Sequence, residues 1–225
     1  MGIIAISEDA YAGNVAYILK NTNNYDENIV NVLQARGFAV DYIDDSLAGS
    51  TNFSQYKLLV VGDELFLNPD SIPVNNYPSL ILNSYHVDDW GWTDKISSYS
   101  SNQPSQVISN NLTSIAGYIS RNVPQVTNIY TSCCYSGGIL SLPLYYFDRL
   151  DSAPSLKVIS STVQNQYNRA VTYTLPGYNL LNGKMSYARG CFFGATESDY
   201  WTDDARTLLG NCADWLANGA KCYRD

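Results

Sequence analysis

Tyr56-Lys57-Leu58-Leu59-Val60-Val61-Gly62-Asp63-Glu64 is the stretch on which the reading of the fold turns. Its run Leu58-Leu59-Val60-Val61 is short and continuously apolar, the pattern of a strand covered on both faces. Gly62 stops it, and two carboxylates follow at once. Similar pairs of acids trail other apolar runs. Gly2 to Ser7 reads as a strand followed by Glu8-Asp9, Phe38 to Ile43 as one ending at Asp44-Asp45, and Pro78 to Asn83 as one with Asp88-Asp89 close behind. Asp26 to Arg36 reads as a helix, with Ile29, Val30, Val32 and Leu33 in one stripe and Gly37 as its stop. Strands separated by a helix or a long crossover point to a parallel sheet with covered faces.

Later stretches read differently. Ser97 to Ser114 is rich in Ser and Asn and is expected to be a surface excursion. Val126 to Thr131, Leu156 to Thr162 and Ala170 to Leu175 read as strands with little helix between them. Asn182-Gly183 is a hairpin signal, after which Met185 to Phe193 would return along its partner. This half is therefore expected to carry antiparallel strands at the sheet edge. Thr202 is placed to N-cap a last helix, with Asp203 and Asp204 in its first turn against the positive end of the dipole. Ala205, Leu208, Leu209, Cys212, Trp215 and Leu216 form its apolar stripe, and Gly219 ends it. With no linker-like break and no internal repeat, residues 1–225 are expected to form a single domain.

Composition narrows the function. Only 15% of the 225 residues are charged, the net charge is -8, and 19 are tyrosines. The surface must be largely neutral-polar. Thirteen basic residues with no basic run make nucleic acid a poor partner. Protein or carbohydrate partners, or metal ions, suit this surface better. The first residues lack a charged n-region and a long apolar h-region, so no signal peptide is expected. No window approaches the ~20 apolar residues needed to span a bilayer, so no membrane insertion is expected. A cytoplasmic or virion-associated location follows as the expectation. The five cysteines, Cys133, Cys134, Cys191, Cys212 and Cys222, contain no C-x-x-C spacing, and their odd count leaves at least one unpaired within a single chain.

Three stretches together resemble a known superfamily. Tyr56 to Glu64 and Pro78 to Ser84 fall where class I glutamine amidotransferase-like proteins have their third strand and their nucleophile strand. Ala188-Arg-Gly-Cys-Phe-Phe-Gly-Ala-Thr-Glu-Ser-Asp-Tyr-Trp201, running into the last helix, resembles the C-terminal strand, loop and helix of ThuA-like proteins, a branch associated with carbohydrate metabolism. The resemblance implies an α/β three-layer sandwich with a mostly parallel, flavodoxin-like sheet. It also exposes two departures. The place of the family's Gly-flanked catalytic Cys reads Leu82-Asn83-Ser84-Tyr85-His86, and that of its His-x-Glu reads Gly194-Ala195-Thr196-Glu197. Glutamine hydrolysis is therefore not expected.

The acids are the remaining source of chemistry. Glu8, Asp9, Asp44, Asp45, Asp63, Glu64, Asp88, Asp89, Glu197, Asp199, Asp203 and Asp204 would gather twelve of the 21 acids at the edge where parallel strands end and ligands bind. Glu8, Asp9 and Asp63 are the candidate ligands of a Mg²⁺ or Ca²⁺ ion, since hard cations take several carboxylate oxygens. A carboxylate pair for glycoside chemistry is the second reading. Loop solubility and helix capping are the plain alternative to both. His86, the only histidine, is the candidate base beside Asp88 and Glu197, with Trp90 and Trp92 as a sugar-stacking platform and Asp63 and Glu64 as further ligand contacts. The plain alternative is a histidine bonded within a packed aromatic loop. Cys133-Cys134 is a thiol candidate without an elbow motif. Asn52-Phe-Ser54 and Asn111-Leu-Thr113 match glycosylation sequons, which an Asn-rich chain also produces by chance. Two functions follow. One is a non-catalytic amidotransferase-like domain with a binding or structural role, archaeal or viral in character. The other is a carbohydrate-active or metal-dependent enzyme working through the carboxylate edge.

Overall fold

A computed structural model describes residues 14–100, 106–110, 112–131, 134–135, 138–139 and 142–218. In chain order the elements are β1 (Asn14–Leu19), α1 (Glu27–Ala35), β2 (Ala39–Asp44), β3 (Leu58–Val61), β4 (Ser79–Ile81), β5 (Ser98–Ser100), β6 (Gln106–Ser109), α2 (Ser114–Ile119), β7 (Val126–Asn128), β8 (Cys134–Tyr135), β9 (Gly138–Ile139), β10 (Leu144–Asp148), β11 (Lys157–Thr162), β12 (Asn168–Thr174), β13 (Gly190–Phe193) and α3 (Asp203–Asn218). The main sheet runs β2-β1-β3-β4-β13-β12-β11-β6-β7. The first five are parallel to their neighbours, and from β13 to β7 each pairing is antiparallel. β10 pairs with β12 and β5, off this path.

Strand alternation divides the core. Val15, Tyr17, Leu19, Leu58, Val60, Leu80, Cys191 and Phe193 point to one face and pack with the buried sides of α1 and α3. Ala16, Ile18, Leu59, Val61, Ile81 and Phe192 point to the other, where loops and 3₁₀ turns bring Ala48, Phe53, Phe66, Ile72, Val74, Trp90 and Trp92. Nine- and sixteen-residue helices are marginal alone. Burial of Leu208, Leu209, Trp215 and Leu216, each worth roughly 1.5–3 kcal/mol, is what holds α3 to the sheet.

The two helices read from the sequence are both capped by side chains at their starts. The Asp26 carboxylate accepts from the N–H groups of Asn28 and Ile29, and the Thr202 hydroxyl from that of Ala205. Asn182 and Gly183 have φ of 56° and 70°, and the Lys184 N–H donates to the Leu181 carbonyl, closing a type I′ turn.

Four expectations need correction or relocation. The expected strand Gly2–Ser7, with Glu8 and Asp9, lies outside the described residues. The strand that enters the sheet ahead of α1 is β1, an apolar run that Lys20 rather than a pair of acids follows, so it lacks the pattern of β3. Ser97 to Ser114 is no simple surface excursion, because β5 and β6 both lie in it. Its Ser-rich alternation (Val107 and Ser109 buried, Ile108 exposed) serves a strand with one wet face. The strand expected from Met185 begins only at Gly190, because the backbone N–H groups of Tyr187 and Ala188 bond to Asn75 instead. Gly219 also lies outside the described residues, as do Asn111, Cys133 and Cys222.

Candidate functional site

The strands β1, β3, β4 and β13 release their chains on the same edge, and the loops that follow interlock there. After β4, Asn83 is fully buried and uses all its bonding capacity. Its Nδ2 donates to the carbonyls of Gly62 and Glu64 at 2.8 and 2.7 Å, and its Oδ1 accepts from the N–H groups of Tyr85 and His86 at 3.0 and 2.9 Å. The side chain thus ties the loop after β3 to the loop after β4. Ser84 adds a second tie, since its N–H and its hydroxyl both donate to Asp63 Oδ1 at 2.7 Å.

After β13, Gly194 passes so close to β10 that a Cβ on it would lie 1.9 Å from the Tyr145 carbonyl oxygen. Only glycine permits that approach. The Tyr145 N–H donates to the Gly194 carbonyl at 2.8 Å, which brings the tyrosine to this edge. The loop continues through Thr196, Glu197 and Ser198. Ser198 donates its hydroxyl to Asp26 at the start of α1, with contacts of 2.7 and 2.6 Å to the two carboxylate oxygens. Asn28 Nδ2 donates to Asp199 at 2.7 Å. The late loop is therefore latched to the first helix.

Between these loops lies a pocket of about 200 Å³, lined by Tyr17, Asp26, Asp63, Glu64, Thr196 and Glu197 among others. It adjoins a wider polar groove of about 780 Å³, where Asn23, Asn24, Asn28, Asn31 and Asp199 join Asp26, Thr196 and Glu197. Electrostatics in the inner pocket run one way. Burial pushes the Asp63 carboxyl up, although the bonds from Ser84 and the nearby Thr196 hydroxyl partly oppose this. Burial also raises Glu197, with Asp63, Asp199 and Asp26 adding repulsion. Glu64 is raised by burial, against the backbone N–H of Lys20 that it accepts. Tyr17 and Tyr145 are pushed up by burial first and by nearby carboxylates second, and Ser84 hydrogen-bonds to Tyr145 in partial compensation. Burial thus works against the charged forms of Asp63, Glu64 and Glu197 alike.

The expected site residues divide. Asp63, Glu64 and Glu197 meet in this pocket. His86 and Asp88 are not among its lining residues. His86 is 5% exposed and stacks on Phe66 beside Trp90, in the second core. Its Nδ1 meets Asp89 Oδ2 at 2.8 Å and its Nε2 accepts the Phe66 N–H at 2.9 Å, so neither nitrogen is left for a substrate proton. Asp88 carries a buried Oδ1 with no partner among the described residues. Trp90 and Trp92 are 2% and 0% exposed, and their indole N–H groups donate to Pro69 O and Asn75 Oδ1. Buried on both faces, they form no stacking platform, which corrects that expectation. A lone histidine next to two tryptophans reads the same way in sequence for a sugar site and for a packed loop.

The other acids do local work. Asp44 caps a 3₁₀ turn through Ser46, Asp45 accepts the Leu67 N–H, and Asp203 pairs with Arg206. Among the described residues no group of three or more His, Cys, Asp or Glu side chains is arranged to hold a metal ion. Glu8 and Asp9, expected with Asp63 as metal ligands, lie outside those residues. Asp26, Ser84, Tyr145 and Thr196 were not singled out by sequence. Asp26 had a signal, because the first helix of a parallel fold begins at the edge where strands end. Tyr145 had none, because β10 joins the site only through tertiary pairing.

Neither a known protein-family model nor a curated protein matches the sequence. Solved structures do match in fold. A cytoplasmic protein from Salmonella typhimurium LT2 superposes with a TM-score of 0.52 at 9% identity, covering 91% of this chain and 97% of its own. A glutamine amidotransferase from Thermotoga maritima gives 0.50 at 10% identity, covering 93% and 100%. A candidate GMP synthase protein from Thermoplasma acidophilum gives 0.50 at 13%, covering 91% and 96%. No helix among the described residues is long and apolar enough to cross a membrane. At these identities the likeness establishes architecture alone: the chain has a mixed α/β fold similar to that of class I glutamine amidotransferase-like proteins.

Proposed function

We propose that this chain is an amidotransferase-like domain of ThuA-like type that binds a neutral, polyhydroxylated ligand at its carboxylate edge and does not hydrolyse glutamine. One observation carries the reading. The loop after β4, where the resemblance puts a nucleophile, is closed from within: Asn83 spends all its bonds on neighbouring backbone, and the Ser84 hydroxyl is committed to Asp63. The facing loop offers Ala195 where the resemblance puts a histidine. What remains is a groove of carboxylates, amides and hydroxyls. Such groups take sugar hydroxyls well and repel anions.

Two assays test it. Ammonia release from L-glutamine is expected to stay at background, and turnover would overturn the first half. Calorimetry against a panel of neutral mono- and oligosaccharides is expected to find saturable binding that Glu197→Gln and Asp26→Asn weaken about tenfold. No binding anywhere in the panel would overturn the second half.

The raised carboxyls of Asp63 and Glu197 favour one further reading, acid catalysis on a glycoside. It predicts release of reducing sugar from a bound oligosaccharide, abolished by Glu197→Gln.

A further inference from the structure

A second cavity, of about 770 Å³, lies over the antiparallel half of the sheet and shares no lining residue with the acidic edge. Its size falls within the range of small-molecule sites. Arg149 and Arg169 both line it, together with Ser109, Tyr167, Ile108 and Val158. This is an unusual place for two cations in a chain of net charge -8 with only 13 basic residues.

Neither guanidinium has a carboxylate within 4.0 Å among the described residues. Arg169 is half-buried, and its guanidinium donates to the Ser152 hydroxyl at 3.0 Å, the one side-chain hydrogen bond it makes among the described residues. Burial and the neighbouring Arg149 both work against its charge. Asp148 lies near enough to favour that charge, but its Oδ1 is engaged by the Leu150 N–H at 2.8 Å. Arg149 lies over the Tyr167 ring, 5.6 Å from its centroid. Two like charges side by side are unfavourable. An oxyanion would satisfy both guanidinium groups at once, since they match carboxylate and phosphate oxygens in geometry and charge.

Local structure explains the placement. The pairing of β11 with β12 shifts register twice between Val158 and Ser161, an irregularity that re-aims side chains on that strand. The turn that follows, carrying Val163, Gln166 and Tyr167, forms one wall, and the Ser161 hydroxyl pins it by donating to the Gln166 carbonyl at 2.9 Å.

We infer that this cavity is a binding site for a small organic oxyanion, its charged group held by Arg149 and Arg169 and its apolar part resting on Tyr167, Ile108 and Val158. The site is independent of the carboxylate edge.

Calorimetry on the full chain with phenyl phosphate, benzoate and inorganic phosphate, and with benzyl alcohol as the neutral control, tests the inference. Phenyl phosphate or benzoate is expected to bind saturably in the millimolar range or tighter, with inorganic phosphate weaker and benzyl alcohol not saturating. The ranking of the two aryl anions identifies the preferred head group. Arg169→Gln and Arg149→Gln are each expected to weaken binding about tenfold or more. Lys184→Gln, the same charge change outside the cavity, is expected to leave it unaltered. Arg149 is exposed, so its variant keeps the test open if Arg169→Gln fails to fold. Absence of saturable binding by either aryl anion, or equal affinity in Arg149→Gln and the parent, would overturn the inference.

Discussion

Asn83 makes four hydrogen bonds from a position with no solvent access, and two of them satisfy carbonyls of the neighbouring loop. Removing it leaves those carbonyls and two N–H groups dry. At about 1–3 kcal/mol for each buried group left unpaired, Asn83→Ala is expected to cost about 3 kcal/mol or more, read as a lowered urea midpoint with an unchanged slope. Asn83→Asp restores the acceptor and loses the donor, and is expected to fall between the parent and Asn83→Ala. At the same scale His86 shows why residue type is a weak guide to role. Its two nitrogens are spent on Asp89 and the Phe66 backbone, a fact of contact that no spacing in Ser84-Tyr85-His86-Val87-Asp88-Asp89 encodes.

Single elements were legible where a local rule governs them. Thr202, Asp203 and Asp204, then an apolar stripe, spell out a helix whose cap and buried face need no distant information. Thr202→Ala is expected to cost about 1 kcal/mol from the lost cap, and slightly more because its hydroxyl also donates to the Asn128 carbonyl at 2.6 Å. Thermal unfolding would show it, and Thr202→Ser is expected to recover most of the loss. β3 was legible for the same reason, since an apolar run buried on both faces has no competing reading. β1 and β6 were not. The first has no flanking acids, and the second is a polar alternation whose wet face hides its place in the sheet.

The whole molecule concentrates raised carboxyls at one edge, and stability against pH follows from it. Asp63, Glu64 and Glu197 hold protons more tightly folded than unfolded. Their contribution is fully present below their ordinary values of 3.8 and 4.5, and it is lost as pH rises through the raised values. Asp63→Asn combined with Glu197→Gln is thus expected to raise the melting temperature at pH 7, with the gain shrinking toward zero near pH ~4. Scanning calorimetry at several pH values checks it, and a gain that grew on acidification would contradict the assignment.

Sequence alone determined the class of fold, the α1 and α3 helices, the parallel core around Leu58 to Val61 and the antiparallel character of the later half. Those features depend on local periodicity, caps and turn residues. It also marked Asp63, Glu64 and Glu197 as a group, because parallel strands share one edge. Tertiary structure decided the rest. It closed the loop after β4 around Asn83, sent His86, Trp90 and Trp92 into the second core, and latched Ser198 onto Asp26. It also brought Arg149 and Arg169 to one cavity. Each of these depends on which side chains meet across strands distant in the chain, and on whether a neighbour or water takes their hydrogen bonds. Neither is written in the spacing of residues along it.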